Sequence, residues 1–314
     1  MNQATNKGNG GQGCARRRGA WVLALGVMIG LAGCGHAPAK QTSSSSSQAK
    51  SEKVQRVIAG TRTVAQYAAA LDLPLVGIDT QDGQPARYAK TPRIGQPRKP
   101  DMEKIASLKP DLYITDSGMM GLLDQGLKQQ GVRGLYLNNA SYQNVTDSVM
   151  QLGKLFNKET QAQAVVKKVQ SETDTALKGA GALKGKKVAV LFGAGRGFML
   201  ATNYSYLGDL LTRLGLTNVA GTLSQVPSPY VPFSLEKLVA EDPDYILTLA
   251  HGRVDQAKAA FKDELAKPQW QQTTAVKRGH VYPLDDKTYP VTGNLQVATT
   301  VQALKHLLLK GASK

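Results

Sequence analysis

The sequence predicts an α/β protein of two similar lobes joined by one long helix, and three observations carry that expectation. Glu103-Lys104-Ile105 leading to Pro110-Asp111-Leu112-Tyr113-Ile114-Thr115 recurs 133 residues later as Glu236-Lys237-Leu238 leading to Pro243-Asp244-Tyr245-Ile246-Leu247-Thr248. Each copy reads as a short amphipathic helix stopped before proline, an aspartate turn and a buried strand. Residues 159–177 place Ala162, Val165, Val166, Val169, Thr173 and Ala176 at spacings of three, four and seven, with no Gly or Pro inside, which is the pattern of a helix with one apolar face. Strand-like segments at 55–59, 75–78 and 187–192 lie on either side of that tract.

Taken in chain order, residues 1–34 read as a lipoprotein signal peptide. Lys7, Arg16, Arg17 and Arg18 carry positive charge with no acidic residue before Cys34, and the apolar run at 20–30 is too short to span a bilayer as a helix. Leu31-Ala32-Gly33-Cys34 has small residues beside the cysteine and resembles a bacterial lipobox. Cys34 is therefore the expected lipidation site. Two acyl chains, at about 0.8 kcal/mol per buried CH₂, would hold the chain on a membrane without a spanning helix. Residues 35–53, which include the run Ser43 to Ser47, have too little apolar surface to offset their ordering entropy and read as a flexible tether. The N-terminal lobe is expected over 54–156, with a helix at 64–71 between its first strands, the interlobe helix over 157–180, and the C-terminal lobe over 186–314. A single helix between the lobes would limit hinge opening.

Composition narrows the chemistry. Cys14 lies in the part removed on processing, so the lipidated mature chain has no free thiol and no disulfide, which excludes cysteine catalysis and cysteine metal sites. The chain has 39 Lys plus Arg against 23 Asp plus Glu; four of the basic residues and none of the acidic ones precede Cys34, leaving 35 against 23. That excess points to an anionic ligand or surface. Nucleic acid is disfavoured, because no basic helix with interleaved aromatics is present and the chain reads as exported. The glycine-rich stretch Gly193-Ala194-Gly195-Arg196-Gly197 has Phe198 where a dinucleotide fingerprint needs its third glycine, and it lacks the Gly-Lys-Ser or Gly-Lys-Thr of a P-loop. It reads instead as a loop allowing close backbone approach to a flat ligand, with Phe198, Met199 and Tyr206 available to pack on it. No Gly-x-Ser-x-Gly elbow, His-Glu-x-x-His helix or cysteine nucleophile is present, so the chain is expected not to be an enzyme. An exported hydrolase built from scattered Ser, His and Asp is the remote alternative.

His251 follows the second repeat strand directly, at its carboxyl end, where α/β lobes place ligand groups, and it is the foremost single site candidate. His36 lies in the tether, His280 in a turn and His306 on a carboxyl-terminal helix.

The chain resembles the ABC-importer substrate-binding lipoproteins of the iron-complex and cobalamin class, and within them the haem-binding lipoproteins of the iron-regulated surface determinant type. The resemblance runs through Ile94-Gly95-Gln96-Pro97, Pro100-Asp101-Met102-Glu103, Leu108-Lys109-Pro110, Leu200-Ala201-Thr202, Ser205-Tyr206-Leu207-Gly208-Asp209-Leu210, His251-Gly252, Val281-Tyr282-Pro283-Leu284-Asp285 and Thr292-Gly293-Asn294. It implies the class III periplasmic-binding-protein fold: two Rossmann-like lobes, a ligand cleft between them, and one glutamate per lobe that docks onto the permease subunits. Glu103 and Glu236 match those positions; as residues at helix starts they would also interact favourably with the macrodipole. The resemblance further implies haem as the transported ligand, with His251 as an axial ligand to its iron, on a protein lipid-anchored to the outer face of the cytoplasmic membrane. One departure stands against it. The haem-binding relatives have a methionine, the second axial ligand, directly after Gly-Gln-Pro, and this chain has Arg98, which cannot replace a thioether on iron. Haem held by His251 alone or with Met102, Met119, Met120, Met199 or Tyr204, Arg98 pairing with a propionate, and an anionic ferric siderophore held by Arg87, Arg93, Arg98, Lys99, Arg196 and Arg253 all remain open at this point.

Overall fold

The structure, a computed structural model, describes residues 54–195, 197–223 and 227–312. Cys34, the signal peptide, the tether up to residue 53 and Arg196 lie outside the described residues. The strands are β1 (Val57–Ala59), β2 (Gly77–Ile78), β3 (Gly95–Gln96), β4 (Lys99–Pro100), β5 (Leu112–Asp116), β6 (Arg133–Leu137), β7 (Lys187–Gly193), β8 (Phe198–Ala201), β9 (Thr217–Asn218), β10 (Tyr230–Pro232), β11 (Tyr245–Ala250) and β12 (Val281–Leu284). The helices are α1 (Arg62–Ala70), α2 (Met102–Ser107), α3 (Met120–Gln129), α4 (Tyr142–Leu155), α5 (Glu159–Leu177), α6 (Tyr206–Arg213), α7 (Ala220–Leu223), α8 (Leu235–Glu241), α9 (Val254–Leu265), α10 (Thr274–Lys277) and α11 (Val297–Ala312).

Two sheets give the two lobes. The first is parallel throughout, in the order β2-β1-β5-β6. The second runs β10-β8-β7-β11-β12, with β9 on the start of β7; β7, β9, β11 and β12 are parallel, and β8 and β10 add an antiparallel margin. The central strands read as near-continuous apolar runs because helices cover both faces. Several helices start where a short oxygen-bearing side chain takes an orphan N–H: Thr61 caps α1, Asp101 α2, Ser141 α4 and Ser205 α6.

The repeat seen in the sequence is a repeated backbone device. In both copies the residue before the proline, Lys109 or Asp242, adopts φ 44°. The aspartate after that proline then secures the start of the neighbouring strand. Asp111 Oδ2 accepts the Gln55 and Arg56 N–H groups, each at 2.8 Å, and Asp244 Oδ2 accepts the Lys187 N–H at 2.9 Å. These bonds hold the Asp111 carboxyl below the usual aspartate range. They also explain why β1 begins at Val57 rather than at residue 55: the preceding N–H groups are turned to a side chain instead of a strand.

The helix expected at 159–177 is α5 over that span. Its Gln161 amide donates to the Ala70 carbonyl at the end of α1 (3.0 Å). Its carboxyl end is closed by Lys305 of α11, whose ammonium donates to the Ala176 and Lys178 carbonyls at 2.6 Å each, a cation where the helix dipole is negative. Gly153 of α4 lies so close to Ala162 of α5 that an added Cβ would collide with it. The outer faces of the sheets carry separate cores, Ile58, Ile94, Ile105, Tyr113 and Leu127 in the first lobe and Leu191, Ile246, Phe261 and Trp270 in the second. The inner faces share one continuous core that runs from Ile114 and Val145 through Ala162 and Val169 of α5 to Val190, Leu247 and Leu304. Among the described residues no helix is long and apolar enough to cross a membrane.

Replacing Asp244 with alanine removes a charged acceptor from the start of β7 and should lower the unfolding free energy by about 1–3 kcal/mol. Urea denaturation should record a lower midpoint at unchanged m-value.

Candidate ligand-binding site

The pairing of β11 with its two neighbours brings three side chains together at the carboxyl edge of the second sheet. Leu249 is opposite Phe192 on β7 and Leu284 on β12. His251 and Asp286 each lie two residues beyond that paired row, so they emerge side by side. The His251 Nδ1 is 3.3 Å from Asp286 Oδ2, and its ring lies over Phe192 with centroids 6.3 Å apart. The His251 N–H donates to the Gly193 carbonyl (2.9 Å), and Gly252 at φ 76° turns the chain away immediately afterwards. Asp286 is steadied by its neighbour, since Asp285 Oδ1 accepts the Lys287 and Thr288 N–H groups at 3.2 and 2.8 Å. The other ring nitrogen of His251, Nε2, has no hydrogen-bond partner among the described residues, and about 45% of the side chain is exposed.

Phe192 also stacks on Tyr230 of β10 at 4.5 Å, and Met199, opposite Phe192 on β8, is exposed. The result is an aromatic and thioether surface with one imidazole. Tyr230 faces the first lobe, close enough to Asp116 for that carboxylate to add to the burial that pushes the tyrosine up to about 12. Asp116 ends β5. Burial raises its carboxyl even though Gly118 N–H (3.0 Å) and Asn139 Nδ2 (3.1 Å) donate to it. Asn139, itself buried, accepts the Tyr67 hydroxyl at 2.8 Å, so a polar chain Tyr67, Asn139, Asp116 lines the junction of the lobes. Next to it the lobes are joined directly: Gly293 N–H donates to the Asn139 carbonyl (2.7 Å), and Asp209 of α6 accepts the Tyr142 N–H at the start of α4 (2.8 Å) while pairing with Arg213, which lies over the Tyr142 ring.

The other expected site residues are distributed as follows. Arg98 and Lys99 are exposed on the β3–β4 hairpin, and neither side chain makes a hydrogen bond or ion pair among the described residues. The hairpin is attached at the carboxyl end of β2, where the Thr80 N–H meets the Gly95 carbonyl. A groove of about 370 Å³ lined by Thr80, Gln81, Gln84 and Arg93 opens on the loop that follows β2. Arg87 is paired with Asp72, and Arg93 donates one N–H to the Asp79 carbonyl while also lining that groove. Met102 packs against Gly126 and Met119 against the outer core of the first lobe, whereas Met120, Met199 and Tyr204 are exposed. Glu103 and Glu236 are exposed in the first turns of α2 and α8.

Tyr206 is a correction. It is fully buried, packed against Gly293 where any Cβ would strike its ring, and therefore offers no face to a ligand. Its motif is structural: Ser205 caps α6, Gly208 lets the helix approach the Thr202 carbonyl, and Asp209 joins the lobes. Phe192 was expected only as a strand residue, and Tyr230, Asp116 and Asp286 were not singled out from the sequence. The available signal for Asp286 was its place just past the end of a strand, as His251 is just past the end of β11. Among the described residues, no group of three or more His, Cys, Asp or Glu side chains is placed to hold a bare metal ion.

Residues 57–288 match the family described as periplasmic binding protein. The chain is 31% identical over 294 residues to the High-affinity heme uptake system protein IsdE of Staphylococcus aureus strain Newman, covering 92% of this chain and 96% of that protein. The crystal structure of S. aureus IsdE complexed with heme superposes with a TM-score of 0.73 at 30% identity, over 80% of this chain and 98% of that one. An ABC transporter substrate-binding protein from Listeria monocytogenes EGD-e gives a TM-score of 0.74 at 27% identity, over 81% and 98%.

Substituting Asn139 by alanine would leave the Tyr67 hydroxyl only its longer bond to the Gly293 carbonyl (3.5 Å) and would take the amide donor from Asp116 Oδ2. The expected cost is about 2–4 kcal/mol of stability, read by urea unfolding, with the far-ultraviolet circular dichroism of the folded state unchanged.

Proposed function

The chain belongs to the periplasmic binding protein family, and from that premise we propose that it is the substrate-binding protein of an ABC importer, capturing an iron complex, most readily haem, and delivering it to the permease. The observation that carries the reading is the His251 imidazole on an aromatic surface at the carboxyl edge of its sheet, with Nδ1 towards Asp286 and Nε2 without a partner among the described residues. A neutral imidazole is a common haem-iron ligand. Phe192, Tyr230 and the exposed Met199 supply the apolar contact a porphyrin face requires, and Met120 adds exposed apolar surface on the first lobe. Arg98, exposed and without an ion-pair partner among the described residues, suits a propionate. Sequence identity to a heme uptake protein over nearly the whole chain supports the same ligand. The relatives are binding proteins, and the reading requires no catalysis.

Arg98 also favours a second reading, in which the cargo is an anionic ferric siderophore held by Arg98, Lys99, Arg196 and Arg253. Titration with ferric haem separates the two. A saturable Soret shift in the parent protein, with an altered spectrum in His251→Ala, is the expected result; no shift in the parent, with quenching by ferric siderophores instead, selects the second reading.

Delivery rests on the paired glutamates and on the lipobox. Glu103 and Glu236 occupy equivalent helix starts in the two repeats and are both exposed. That places one carboxylate on each lobe for a permease with two subunits. Cys34, in the sequence Leu31-Ala32-Gly33-Cys34, would anchor the protein on the outer face of the cytoplasmic membrane and keep its effective concentration near the permease high. One experiment in cells addresses both points. Cys34→Ala should release the protein to the medium, whereas the double substitution Glu103→Ala and Glu236→Ala should leave it membrane-bound, with ligand affinity intact and uptake abolished.

A further inference from the structure

We propose that Asp286 is a positioning residue for the cargo iron: it fixes the Nδ1–H tautomer of His251, directs Nε2 to the ligand, and biases the site towards ferric over ferrous haem. This rests on the reading of His251 as the iron ligand.

The argument begins with strand register. Parallel pairing of Leu249 with Leu284 brings the residues two places further along each strand into contact, and these are a histidine and an aspartate. An ionised carboxylate only accepts hydrogen bonds. In the neutral imidazole, the 3.3 Å approach of Asp286 Oδ2 to His251 Nδ1 therefore places the proton on Nδ1 and the lone pair on Nε2, the nitrogen with no other partner among the described residues. Phe192 beside the ring and the bond of the His251 backbone N–H to the Gly193 carbonyl favour this arrangement. The carboxylate is held as well, since Asp285 organises the turn that carries it through two N–H bonds.

The electronic consequence follows from the charge. A carboxylate accepting from the distal nitrogen of a ligating imidazole makes the ligand more basic, and a more basic ligand stabilises the higher oxidation state of the metal. In the free protein the pair is open to water, with the His251 and Asp286 side chains 45% and 37% exposed, so it contributes little to folding stability. A flat cargo covering His251 would exclude that water and strengthen the interaction when it is needed. Asp286 thus acts on bound ligand more than on the empty fold.

The test uses the purified full-length protein loaded with haem, comparing the parent with Asp286→Asn, Asp286→Ala and His251→Ala. Asp286→Ala should weaken ferric haem binding about 10–100-fold. It should raise the reduction potential of the bound haem by about 59 mV, a tenfold loss of ferric preference in a one-electron couple. The iron–imidazole stretching frequency in the resonance Raman spectrum of the ferrous complex should fall in step. Asp286→Asn retains an acceptor without the charge and should recover most of the affinity but not the potential, a split that a purely structural role would not produce. If the His251→Ala spectrum differs from the parent while both Asp286 variants keep the parent's potential and stretching frequency, the Asp286 proposal is overturned and the His251 assignment stands. If His251→Ala leaves the spectrum unchanged, both fall. Equal urea midpoints for the Asp286 variants and the parent would show that the readouts report on the ligand rather than on misfolding.

Discussion

If β11 slipped by one residue against β7 and β12, every side chain on it would change faces, and His251 would leave both Phe192 and Asp286. The register of those three strands is thus the constraint on which the site depends. Leu249 is held opposite both Phe192 and Leu284, and its strand begins at an aspartate that binds the first N–H of β7. The equivalent aspartate, Asp111, takes the two N–H groups just before β1 in the first lobe. What the repeat conserves within this chain is a way of setting strand register, and the site at the far ends of the strands inherits its alignment from it.

The second constraint is the joint between the lobes. A single crossing helix limits hinge opening, and α5 is further packed between α4 and α11, with the inner faces of both sheets contributing to one core around it. Gly293 and Asp209 add hydrogen bonds from the second lobe directly to the first. Opening the lobes widely would break into that shared core as well as the bonds beside it. The buried chain from Tyr67 to Asp116 lies at the same joint, where low exposure raises the cost of leaving any member unpaired.

Local signals in the sequence carried much of the fold. The 3.6-residue periodicity of residues 159–177, the proline and aspartate that end each αβ unit, and the apolar runs of β7 and β11 are properties of neighbouring residues, and the structure bears them out with small changes at strand ends. The position of His251 at a strand end was legible for the same reason. Tyr206 was misread because its aromatic ring, next to a loop motif, looked available; Gly293, 87 residues further on, provides the space that buries it. Arg87 was one of several candidate cations for an anionic cargo, and Asp72, the carboxylate that pairs with it, is brought near only by folding.

By itself, the sequence determined the two αβ units, the helix between them, the lipobox pattern and the histidine at the carboxyl end of a strand, since each is written in residues close together in the chain. Only the tertiary structure decided which residues share the site with that histidine. Phe192 and Tyr230 lie on two different strands and Asp286 just past the end of a third, and whether they meet it depends on strand order and register, which arise from hydrogen bonds between segments far apart in sequence.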